Sequence, residues 1–232
     1  LGFPYSYRPT FNNHHEGGWS TATDGNLSLA TGFNWHSGLF QLVNIDANNI
    51  RLVARGDESS LYHNSGGTFV GNLGSDSKIV AVGGDNEFVL YAANGTTVRF
   101  YDFDGAWGVR AGACKEICDA SGKTITVAYE SSYYFPTRVN YLTDSAGFTW
   151  DYTYFNNPGH GNHLKIEKIE LKDASNNVLG RSEYKYYDAN SSDFAAGSGT
   201  DGDLMRIVVT ERDSDGLNIQ RTTLFRYYTG TR

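Results

Sequence analysis

The chain has 232 residues, a net charge of −7 and an isoelectric point near 5.3. Its 19 Lys and Arg form no cluster, which excludes a phosphate-binding surface and makes nucleic acid a poor partner. No apolar run reaches the length of a membrane span, so membrane insertion is not expected.

Sixteen tyrosines against one methionine, and 27 glycines against four prolines, point to strands joined by tight turns. Residues 1–18 are aromatic and irregular and read as a lead-in. Short strands follow at Leu27–Leu29, from Leu39 to Asp46, and from Ile50 to Arg55. The last two face each other across Asp46-Ala47-Asn48-Asn49, a hairpin signal. Strands are expected next at Thr68–Val70 and Lys78–Val82, bounded by glycines. Glu87–Ala92 and Thr96–Asp102 then flank Ala93-Asn94-Gly95, where Asn-Gly suits a tight primed turn.

From Gly105 onward the chain becomes repetitive. A glycine followed by an alternating strand ending in tyrosine recurs at Gly95, Gly122, Gly147, Gly180 and Gly216. These glycines are 27, 25, 33 and 36 residues apart, and three of them follow Asp119, Asp144 and Asp213 by three positions. The closing tyrosines are Tyr129, Tyr154, Tyr186 and Tyr227. Repetition on this scale means stacked units, each too small to bury its own apolar face. Partner strands start near Arg138, Lys165 and Met205. In the second of these, Ile166 and Ile169 share a face only if the strand bulges near Glu167–Lys168. Polar insertions at 156–163 and 188–203 interrupt the rhythm, the latter long for a hairpin. No stretch carries a helical period.

Three of these segments, Cys118-DASGKTITVAYE, Thr143-DSAGFTWDYTY and Gly180-RSEYKYYD, carry a family resemblance. The repeat region resembles the YD repeats of the RHS family. The segment before it, Gly18-Trp19-Ser20 and then Glu87 to Asp102, is similar to the stretch that precedes the first repeats in such proteins, so that the resemblance covers most of residues 18–228. The Gly-Arg-Leu that often follows Tyr-Asp in that family is missing, the spacing drifts, and the self-cleavage motif with its Asp-Pro is absent. The resemblance implies an all-β fold of consecutive antiparallel hairpins, forming a large curved sheet or spiral shell. It divides the chain into a pre-repeat β region, 1–104, and hairpin repeats continuous with it, 105–232. It also implies a piece of a large secreted or cell-surface polypeptide, and it implies no enzyme.

Other candidate chemistry is sparse. Cys114 and Cys118 sit about 13 Å apart on a regular strand, so a disulfide needs a turn or bulge, and two buried thiols is the plainer reading. His160 and His163 share a glycine-rich loop from which both imidazoles could reach one metal. Asp213 and Asp215 resemble part of a calcium loop, making structural calcium a second candidate, although a turn aspartate ordinarily caps backbone N–H groups. Glu167, Glu170, Glu183 and Glu211 neighbour Lys or Arg within strands, which suits cross-strand pairing on a wet face. Trp19 and Trp35 are the candidates for stacking on a sugar, whereas the stripe from Trp150 to Tyr154 reads as core. The expected role is therefore a non-catalytic extracellular scaffold, shell or assembly module. Its partners would be other repeats of the same polypeptide or neighbouring copies. A carbohydrate-binding adhesion module is the alternative, and a glycan-active enzyme stands behind it.

Overall fold

The computed structural model describes residues 10–11, 35–36, 39–54, 58–71, 76–84, 86–103, 111–130, 138–156, 158, 165–188, 199, 201–212 and 218–226. A two-stranded pair, β1 (Thr10–Phe11) and β2 (Trp35–His36), forms one small sheet. The main sheet opens with β3 (Gln41–Asp46), β4 (Asn49–Ala54), β5 (Glu58–Ser65) and β6 (Thr68–Gly71). It continues through β7 (Lys78–Val82), β8 (Glu87–Tyr91), β9 (Thr97–Tyr101), β10 (Cys114–Cys118) and β11 (Thr124–Tyr129). The last strands are β12 (Val139–Asp144), β13 (Thr149–Tyr154), β14 (Ile166–Lys172), β15 (Val178–Tyr186), β16 (Leu204–Arg212) and β17 (Asn218–Leu224). These 15 strands make one sheet in strict chain order, each antiparallel to the next. No helix occurs among the described residues.

The sheet rolls up on itself. Leu42 donates its N–H to the Gly112 carbonyl at 2.8 Å, and Gln41 bridges Ala113 antiparallel. Residues 112–113 also bond Tyr101, at 3.0 and 2.9 Å, so they lie between β9 and the outer edge of β3. Strands β3 to β10 thus make a full turn around Leu42, Ile50, Phe69, Ile79, Val98 and Phe100. The strands from β11 onward run past this seam, which makes the sheet a spiral. A second core of Ile166, Ile169, Tyr184, Tyr186 and Leu204 lies beyond it, and Trp150 and Tyr152 pack against both. The aromatic stripe is core, as its alternation indicated.

The seam depends on Gly112. Its φ is +72°, and a Cβ there would lie 2.0 Å from the Leu42 carbonyl oxygen, so only glycine fits.

β5 is absent from the sequence reading. ESSLYHNS buries Tyr62, and its polar composition hides a strand whose two neighbours supply the pairing. Its link to β6 is Gly66-Gly67, both with positive φ, the pattern of a two-residue primed turn.

The bulge expected near Glu167 is present. Thr153 pairs with Lys168 and Tyr154 with Ile166, which leaves Glu167 unopposed and turns both Ile166 and Ile169 inward. The same irregularity recurs at Lys115, Asn140 and Met205, immediately after the first residue of β10, β12 and β16. Each of these strands therefore opens apolar-x-x-apolar: Cys114 with Ile117, Val139 with Leu142, Ile166 with Ile169, Leu204 with Ile207. The Lys115 bulge also puts Cys118 on the face opposite Cys114. Both cysteines are free thiols, and they do not share a face as a regular strand would require.

Candidate functional site

The hairpin unit is held at two places, its turn and its open end. At the turn, Asp144 receives Gly147 N–H at 3.0 Å on its carbonyl and donates its own N–H to Phe148 at 3.0 Å. Its carboxylate accepts the N–H groups of Ala146 and Phe148, both at 2.9 Å. Asp119 and Asp173 repeat the arrangement with Ser121 and Lys123, and with Ser175 and Asn177. The hydrogen bonds from the Ser121 hydroxyl and the Asn177 amide, with those backbone donors, hold the carboxyls of Asp119 and Asp173 below the ordinary range.

Gly95, Gly122 and Gly147 take left-handed conformations, with φ of 81°, 83° and 86°. Each ends a three-residue turn with a left-handed final position, the type that carries a bulge, and Asn94 is not left-handed. The turn at Gly95 is thus not the two-residue primed turn that Asn-Gly suggested. Gly180 lies inside β15, and the left-handed position of its hairpin belongs to Asn176, at φ 66°. Read by turn residue, Gly95, Gly122, Gly147 and Asn176 are 27, 25 and 29 apart, a tighter period than the glycines alone show.

At the open end, the tyrosine closing one strand reaches back across its own hairpin. Tyr129 donates to the Cys114 carbonyl at 2.6 Å, Tyr154 to Val139 at 2.7 Å and Tyr186 to Ile166 at 3.0 Å. Each acceptor is the first residue of a bulged strand. Burial pushes the Tyr154 hydroxyl well up from its ordinary range, although the Arg138 guanidinium, 4.4 Å from the ring centroid, works against this. Burial raises Tyr152 and Tyr184 likewise, and it raises the Cys114 thiol.

The two faces of β13 to β15 differ sharply. Outward, Asp151 pairs with Lys172, Lys168 with Glu170 and Arg181 with Glu183. Glu170 and Glu183 thus sit in charge pairs on the wet face, but with a neighbour two residues away in their own strand and not across to the next strand as expected. Glu167 occupies the bulge and Glu211 lies near the end of β16, both exposed. At the other end of the sheet, Glu87 is buried between Lys115 and Arg99. Burial drives its carboxyl up, but the hydrogen bonds from those two cations outweigh this and leave it below the ordinary value.

A cavity of about 340 Å³ opens at the mouth of the roll, lined among others by Asn44, Asp46, Asn86, Asp102 and Phe103. Asp46 is engaged by its own turn through Asn48 and Asn49, so the rim is built from hairpin ends and their internal bonds. Where β14 begins, Lys165 is buried, donates to the Gly202 carbonyl and lies 5.2 Å from the centre of the Tyr186 ring. Desolvation lowers its pKa, with Asp203 and Asp201 opposing. Beside it, Tyr187 stacks on Gly199 and donates to Phe225 at 2.8 Å, fastening the far end of β17.

Of the candidate binding residues, Trp35 lies in β2 opposite Phe11. Trp19, His160, His163, Asp213, Asp215, Gly216 and Tyr227 lie outside the described residues. Among the described residues no group of three His, Cys, Asp or Glu side chains gathers as a metal site would require. The bulges at Lys115, Asn140 and Met205 and the tyrosine bonds are what sequence reasoning missed. Apolar-x-x-apolar at the head of alternate strands was the available signal.

No family model matches the chain, and no curated protein matches it. Among solved structures it is similar to a chain of the TcdB2-TccC3-Cdc42 crystal structure. The identity is 7% and the TM-score 0.46, over 82% of this chain and 14% of that one. It is also similar to a porin-like protein from Bacteroides uniformis, at 12% identity and TM-score 0.29, over 79% and 91% of the two chains. The chain therefore spans 14% of the length of the first of these.

Proposed function

We propose that this chain is a non-catalytic structural segment of a large secreted or cell-surface protein of RHS type, working as a scaffold or shell wall outside the cell. One observation carries the reading: in three successive hairpins the groups capable of chemistry are spent on the sheet itself. The aspartates close turns, the tyrosine hydroxyls close open ends, and the charged residues of the outer face pair with one another. A site that bound or turned over a ligand would need some of these groups unengaged. The spiral also suits a wall, because the outer face of β13 to β15 carries paired charges while the inner side holds two cores bridged by Trp150 and Tyr152.

A glycan array combined with a turnover screen on glycosides tests this. A scaffold segment retains no sugar and releases no product. Retention of a defined saccharide that disappears on Trp19→Ala or Trp35→Ala would make the chain an adhesion module instead. Hydrolysis abolished by replacing two carboxylates would make it an enzyme.

A further inference from the structure

We infer that the outer edge of β17 binds a further antiparallel strand of the repeat's own type, one that opens apolar-x-x-apolar and bulges after its first residue. This rests on the scaffold reading and names the partner that such a wall would take.

The geometry of the edge comes first. Phe225 donates its N–H to the Met205 carbonyl at 2.9 Å, and the register pairs Thr223 with Ile207, Arg221 with Val209 and Ile219 with Glu211. In an antiparallel ladder the hydrogen-bonded pairs alternate, so the odd residues of β17 point their N–H and C=O groups at β16. Asn218, Gln220, Thr222 and Leu224 therefore aim theirs away from β16. Among the described residues no strand lies there, and all seven residues of β17 are exposed, Leu224 at 65%. Such a row of unsatisfied groups is a template for strand addition.

The kind of strand follows from the four preceding interfaces. β9, β11, β13 and β15 each receive, on the side away from their hairpin partner, a strand with a bulge after its first residue. β17 occupies the next place in that series. Its inner face continues that of β15, and Phe225 packs against the second core, which an incoming apolar residue would extend.

Two other occupants fit less well. The opposite edge of the sheet is sealed at Leu42 by Gly112 and distorted by a bulge between Asn44 and Asp46, so head-to-tail joining of copies through β3 is blocked. A second copy could pair β17 with β17, but full overlap places Arg221 against its own duplicate, and like charges directly opposite are destabilising.

The test is amide hydrogen exchange on the intact chain with a synthetic peptide copying residues 165–172 (KIEKIELK). At saturating peptide, exchange at Asn218, Gln220, Thr222 and Leu224 should slow at least about tenfold, with β3 unchanged. A peptide with both isoleucines changed to aspartate should give no slowing. Gln220→Pro, which removes an outward donor and leaves the β16 ladder intact, should abolish the effect while the urea midpoint stays near that of the parent chain. Absence of slowing at millimolar peptide overturns the inference, as does slowing that maps to β3 or that follows protein concentration without peptide. If the peptide fails and the glycan array is silent, the scaffold reading stands with an inert edge. Sugar retention defeats that reading whatever the peptide does.

Discussion

The Tyr154 hydroxyl donates to the Val139 carbonyl across 2.7 Å, joining the last residue of β13 to the first residue of β12. On its other side Tyr154 pairs with Ile166, the first residue of the next bulged strand. One side chain thus fixes the open end of its own hairpin and the start of the following one. Tyr154→Phe removes the donor and leaves a half-buried carbonyl without its partner, a loss of about 1–2 kcal/mol. A urea titration should show the lower midpoint with an unchanged slope. Tyr129→Phe and Tyr186→Phe should behave alike, since their hydroxyls do the same work.

The same tyrosines set an alkaline limit. Tyr152, Tyr154 and Tyr184 have folded pKa values raised by burial above the value of 10.0 that the unfolded chain takes. The unfolded state therefore loses these protons first, and folding stability, intact below pH 10, declines above it. The slope is about 1.4 kcal/mol per pH unit for each such group. Thermal melts between pH 9 and 11.5 should show a progressive fall that steepens past 10. A flat profile would mean that the rings ionise in place.

Gly112 and Gly122 both have positive φ, but only Gly112 lacks room. Gly112→Ala sets a methyl 2.0 Å from the Leu42 oxygen, whereas around Gly122 nothing lies within 4 Å. Gly122→Ala should cost about 1 kcal/mol for the left-handed backbone alone. Gly112→Ala should cost at least about 3 kcal/mol, because the seam must part as well. Exchange at the Leu42 amide distinguishes them: it should quicken in Gly112→Ala and stay slow in Gly122→Ala.

Asn176 holds the one left-handed position in this series of turns that is not glycine. Asn176→Gly should stabilise the chain by about 0.5 kcal/mol, read as a small rise in melting temperature. The neighbouring acid side is separable. Asp119 and Asp173 have lowered folded pKa values, so what they add is present above their unfolded value of 3.8 and disappears as pH falls through the folded one. Asp173→Asn should flatten the stability curve below pH 4 and leave it unchanged in shape near neutrality.

How much of this was legible follows from which forces write themselves into a sequence. Alternation marked β9, β11 and β13 because one face of each is buried and the other wet, and the Asp-x-x-Gly turns were plain because a left-handed residue is chemically rare. β5 escaped because its sequence is mostly polar, and its place is dictated by β4 and β6. Gly180 misled because glycine inside a strand looks like glycine at a turn, while Asn176 did the turn's work unnoticed. Curvature was expected only through the family resemblance, and the place where the sheet closes was invisible for a different reason. The seam joins residues 42 and 112, and nothing local in either segment records a contact across that separation.

Glu167 supplies the sharpest test of the bulge, because the bulge can be removed with it. The residue is exposed and unopposed, so Glu167→Lys should shift stability by less than about 0.5 kcal/mol. Deleting it leaves Ile166 and Ile169 two positions apart. Tyr154 can then still pair with Ile166 and Thr153 with Lys168 in a regular ladder, and both isoleucines, 1% and 5% exposed, stay on the inner face. Urea unfolding of the deletion should therefore fall within about 1 kcal/mol of the parent chain. Ile169→Ala, by contrast, should cost about 2–5 kcal/mol, because it empties part of the second core. A deletion that costs as much as Ile169→Ala would mean that the twist of the bulge, and not the spacing of the isoleucines, holds this end of the hairpin.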